Sequence, residues 1–124
     1  MRLYRLAADA GNGTAENQIG WMYQKGLGVA QDYAEAMRWY RKAADQGDAD
    51  AQQAVGLLYS DGWGVEKDYG EAMRWFRKAA DQHLDAADLS IAMLYGAGLG
   101  VARDPAEAKR WLDKAAEHGA KDAR

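Results

Sequence analysis

The sequence predicts an all-α protein built as a stack of similar helix pairs, and three observations lead there. Glycine turns recur at a fixed interval: KGLGVAQD at 25–32, DGWGVEKD at 61–68 and AGLGVARD at 97–104, a gapless period of 36 residues. A loop that cradles phosphate is needed once and carries Gly-Lys-Ser/Thr, which follows none of these turns; a turn repeated at even spacing is architecture. Secondly, the stretches on either side of each turn have helical periodicity. Thirdly, fourteen glycines against a single proline fit many helices punctuated by glycine turns. One pair of this size cannot bury its own apolar face, so neighbouring pairs must stack into a continuous core.

Taken in order, residues 1–11 match 37–47, so residues 1–10 read as the second helix of an incomplete unit. The first helix of the next unit, about 14–25, carries Ala15, Ile19, Met22 and Tyr23 on one face and stops at Gly26. A second helix, about 33–46, starts at Asp32, with Glu35 completing a capping-box pattern and Gly47 ending the run. The same pair recurs at 50–61 and 69–82, and again at 86–97 and 105–118, where Pro105 takes the first helical position. The chain thus reads as one repeat domain over 1–124, with a partial repeat at 1–12. Full repeats follow at 15–50, 51–86 and 87–122, and a further one begins at 123–124. Trp39, Trp75 and Trp111 recur among small alanines, which marks them as core. Glu35 with Arg38 and Arg41 with Asp45 are spaced as ion pairs on a solvated helix face.

In the first unit Ala15, Ile19, Gly20, Tyr23, Gly26, Gly28, Val29, Asp32, Ala36, Trp39, Lys42, Ala43, Ala44 and Gly47 form a pattern that resembles the Sel-one-like repeat family. The related tetratricopeptide repeat has a period of about 34 residues and lacks the GxGV turn. Three departures stand out: glutamate in place of lysine at 35, 71 and 107, Ala92 in place of a glycine, and His83 in place of the closing glycine. A non-glycine at 83 must take a strained turn or alter it. The resemblance implies a right-handed α-solenoid of about seven helices, with a concave face lined by first helices. It also implies a protein-interaction scaffold. Some cysteine-rich bacterial relatives are described as penicillin-binding or β-lactamase-like, which opens the alternative of a binder or hydrolase of cell-wall fragments; their disulfide framework is absent here. A further alternative is a structural segment of a longer solenoid.

Sixteen basic and nineteen acidic residues give a net charge of −3, against a nucleic-acid binder, which would carry a basic excess. The absence of cysteine excludes disulfides and thiolate metal sites. No apolar run approaches the roughly 20 residues of a membrane span, so no membrane insertion is expected. The chain lacks the apolar segment of a signal peptide, and a cytoplasmic location follows if Met1 is the natural start. Serine is confined to Ser60 and Ser90 and histidine to His83 and His118, with no base spaced to reach Ser90. A non-catalytic, cofactor-free protein is expected.

The candidate surface is a ladder on the first helices. Trp21 recurs as Leu57 and Met93 on an otherwise mixed face, flanked by Asn17, Gln18, Lys25, Gln53, Asp61, Leu89 and Ser90. The frame repeats while the flanking residues vary, which suits an extended protein or peptide partner; the alternative is that the ladder packs against the neighbouring first helix, as helical repeats often require. Trp63, between the glycines of the second turn, is a second candidate: it folds back over its own helix pair or stands out as an interface hot spot. Helix 105–118 offers Trp111, Leu112 and Ala115 to a following first helix, so its open face is a candidate for self-association.

Overall fold

The structure, a computed structural model, describes residues 12–122. It contains six helices, α1 (Gly13–Lys25), α2 (Tyr33–Asp45), α3 (Ala49–Asp61), α4 (Tyr69–Ala80), α5 (Asp85–Ala97) and α6 (Pro105–Asp122), and no strand among the described residues. The seventh helix, expected at 1–10, lies outside the described residues. Most helix ends fall within two residues of expectation. The exception is α6, which runs through Gly119 to Asp122 instead of stopping at 118. Glycine permits a left-handed stop without imposing one.

Local hydrogen bonds explain why the glycine turns have this form. Gly26, Gly62 and Gly98 adopt φ near +70°, and their amides donate to Met22, Leu58 and Leu94. Further on, the amides of Asp32, Asp68 and Asp104 donate back to the carbonyls of Tyr23, Tyr59 and Tyr95, each at 2.9 Å. These amides are spent on carbonyls inside the fold, as the closing bonds of a helix-to-helix turn. The same aspartates cap the second helices, accepting from the amides of Glu35, Glu71 and Glu107. Only half of the capping box forms, because the glutamate side chains turn instead to Arg38, Arg74 and Arg110 at 3.0–3.1 Å.

The first helices are capped less uniformly. Asn12 and Asp48 accept from the amides of Ala15 and Ala51, whereas Leu84 in the same register makes no capping bond. Just before it, His83 takes φ +65°, the left-handed conformation that Gly47 supplies one unit earlier. The departure at 83 is therefore absorbed as local backbone strain.

Burial divides along the seams between units. One core joins Ala36, Met37, Tyr40, Ala43 and Ala44 of α2 to Ala51, Val55 and Leu58 of α3 and Trp75 of α4. The next joins Ala72, Met73, Phe76, Ala79 and Ala80 of α4 to Ala87, Ile91 and Leu94 of α5, with Trp111 packed on its edge. Each second helix is thus shared with the following unit, as a stacked solenoid requires. A β-carbon on Gly56 would stand 2.5 Å from the Phe76 ring, and one on Gly20 would stand 2.7 Å from Tyr40. The third unit has Ala92 and Leu112 at those two positions, a larger small residue paired in register with a smaller large one.

Candidate functional site

Trp21, Leu57 and Met93 remain 44%, 40% and 60% exposed, so the apolar ladder does not close against neighbouring first helices. Between α1 and α3 lies a crevice of about 500 Å³. Six of the expected residues line it: Asn17, Gln18, Trp21 and Lys25 from α1, and Gln53 and Leu57 from α3. Gln24, Tyr40, Asp50 and Ala54 complete the lining. Gln24 was within reach of sequence reasoning, because it lies three residues beyond Trp21 on the same helix. Asp50 was not, since a helical wheel says nothing about a neighbouring helix. At the back of the crevice the Tyr40 hydroxyl donates to Gln24 Oε1 at 2.6 Å. Burial pushes that hydroxyl well above the usual tyrosine range and keeps it protonated.

Between α3 and α5 the arrangement differs. Gln53 Nε2 donates to Ser90 Oγ at 2.9 Å, a buried bond that ties the two first helices together. In register, Gln53 corresponds to Asn17 and Ser90 to Ala54. Alanine has no hydroxyl to complete such a bridge between α1 and α3, and there the crevice opens. Ser90 was expected to face a ligand; it is buried, and its hydroxyl is used between repeats. Gln53 is only 9% exposed, and its Oε1 has no hydrogen-bond partner. Asp61, Leu89 and Met93 are exposed but lie outside the crevice.

A family model for the Sel1 repeat matches residues 1–12, 13–48, 49–84 and 86–119. The chain belongs to the Sel1 repeat family. Three solved structures share the fold. A protective antigen of uropathogenic Escherichia coli is 46% identical with a TM-score of 0.90, over 94% of this chain and 25% of its own. A Sel1 repeat protein of Oxalobacter formigenes is 43% identical with a TM-score of 0.83, over 92% of this chain and 47% of its own. Cysteine-rich protein B of Helicobacter pylori is 20% identical with a TM-score of 0.72, over 97% of this chain and 91% of its own; at that identity the likeness is one of fold. This Sel1 repeat chain therefore spans a quarter of the antigen and less than half of the Oxalobacter protein. No curated protein matches it significantly. Sel1 repeat proteins are helical repeat scaffolds that generally mediate protein interactions.

Two other expected sites take different forms in this Sel1 repeat chain. Trp63 does not fold over its own helix pair. Its ring stacks on Tyr33 of the preceding unit, centroids 5.2 Å apart and tilted by 33°, with 44% of the residue still exposed. Of the three residues expected on the open face of the last helix, Leu112, 49% exposed, is the one offered outward. Ala115 is buried, and Trp111 packs on the α4–α5 core beneath Lys114, whose Nζ stands 4.0 Å from the ring centroid. Trp111 serves its own unit and the one before it. Among the described residues no helix is long and apolar enough to cross a membrane, and no group of three or more His, Cys, Asp or Glu is placed to hold a metal.

Proposed function

We propose that this chain is a non-catalytic interaction module that holds a protein or peptide partner against the face carried by its first helices. The observation that carries the reading is the exposed ladder of Trp21, Leu57 and Met93, one apolar residue per unit. Large apolar side chains left in water at regular spacing, beside polar residues that vary, are the surface features of recognition. The family role supports the same reading. The test is capture from the native organism with mass-spectrometric identification, using wild type and the triple variant Trp21→Glu/Leu57→Glu/Met93→Glu. A partner retained by wild type and lost by the folded triple variant is the expected result. Undiminished capture by the variant would move the binding face elsewhere. A second reading, a segment that extends a longer solenoid, is favoured by the small share of the E. coli antigen that the chain spans.

A further inference from the structure

The open crevice between α1 and α3 has a composition that narrows what it receives. Its walls present the carboxamides of Asn17, Gln18 and Gln53, groups that each offer a donor and an acceptor, as a peptide main chain does. Trp21 and Leu57 supply apolar surface between them. Gln53 is only 9% exposed and its amide is tied to Ser90, so it forms a fixed side of the crevice. The half-buried carboxamides of Asn17 and Gln18 are then the ones placed to meet a ligand main chain.

Charge fixes the length and polarity. Asp50 stands at the beginning of α3 and Lys25 at the end of α1, both exposed and both lining the crevice. First helices of successive units run in the same direction, and the two charges differ by eleven residues in repeat register. That is on the order of 16 Å along a helix axis, the reach of about five extended residues.

We infer that this crevice receives an extended peptide segment of a partner, about five residues long, with a central apolar side chain between Trp21 and Leu57 and opposite charges at its ends. The inference rests on the interaction reading above and locates it. Ala54 is its structural cause, because the corresponding position in the next unit, Ser90, closes the equivalent gap. The Asp50 end attracts a basic residue and the Lys25 end an acidic one, while main-chain N–H groups reach the carboxamides.

The test uses a displayed library of random linear seven-residue peptides, selected against the folded chain. Enriched peptides are then titrated calorimetrically into four proteins whose helicity has been checked. These are wild type, Trp21→Glu, the exposed turn variant Glu66→Lys, which lies outside the crevice and the ladder, and the double variant Asn17→Gln/Ala54→Ser, which recreates the Gln53–Ser90 bridge between α1 and α3. Expected are peptides with one apolar residue between charges of opposite sign. Their binding weakens about tenfold or more in Trp21→Glu and in the bridged variant, and changes less than about twofold in Glu66→Lys. Unchanged binding to both Trp21→Glu and the bridged variant would overturn the crevice and leave the interaction face standing. Failure to enrich any linear peptide would also overturn the crevice. If the chain then bound only oligosaccharides, the interaction reading would fall with it.

Discussion

Gly56 and Phe76 occupy one volume between them, and their energetics are correspondingly coupled. The β-carbon of a Gly56→Ala variant would press on the Phe76 ring, which is buried and fixed by its neighbours, so the substitution should cost about 1–3 kcal/mol despite alanine's better helix propensity. Gly56→Ala/Phe76→Leu removes the ring that the new β-carbon would meet and gives the pair of residue types that the third unit carries at 92 and 112. A double-mutant cycle by urea denaturation should show a favourable coupling of about 1 kcal/mol or more, and strict additivity would mean that the backbone, not the ring, moves. The equivalent aromatic one unit earlier gives a pH-dependent prediction. Tyr40 is raised by desolvation, so folding favours its protonated form. Its contribution is intact below the ordinary tyrosine range and is lost as pH climbs beyond about 10, where the unfolded side chain ionises and the folded one resists. Stability measured against alkaline pH should fall faster for wild type than for Tyr40→Phe; parallel curves would place the loss on other groups.

At the scale of elements, the first helices differ in how they are joined to their neighbours. The α3–α5 seam is closed by a buried side-chain bond, and Ser90→Ala would leave both polar atoms of the Gln53 amide unpaired. We expect a cost of about 1–3 kcal/mol, larger than for Ser60→Ala, whose hydroxyl makes only a long exposed contact to Leu57 O. Equal costs in thermal or urea unfolding would show that the bridge contributes nothing to the seam. This element also marks the limit of what the sequence reveals. Helix positions are legible because caps, glycine stops and ion pairs act within a few residues: Asp32 on Glu35 N, Gly26 on Met22, Glu35 on Arg38. The crevice is legible in part, because Trp21 and its neighbours on α1 share one helical face. Contacts between units are another matter. The bond from Gln53 to Ser90 and the stacking of Trp63 on Tyr33 depend on distances between elements, which periodicity does not encode. Ser90 therefore reads from sequence as a surface residue and proves to be a seam residue.

Over the whole molecule, the cores lie between units, so the chain should lose stability in steps set by seams. Residues from α2, α3 and α4 meet in the first core, where Trp75 closes the far side at 5% exposure. Removing 85–122 leaves that core complete and uncovers one side of α4, including Met73 and Phe76, which otherwise pack on α5. The shortened chain should remain helical and unfold cooperatively, with lower stability and a smaller urea dependence, because less surface is exposed on unfolding. Removing 69–122 also takes Trp75 out of the first core. Losing a large aromatic from a packed core costs about 3–5 kcal/mol on its own, a large part of the stability of a chain this small. We therefore expect the cut at 68 to be much more damaging than the cut at 84, out of proportion to the sixteen additional residues lost. Circular dichroism and urea titration of both shortened chains decide between the two pictures. If helicity per residue survives equally in both, stability resides within helix pairs. If it collapses at the second cut, the unit of stability is the seam, a second helix with the first helix that follows it.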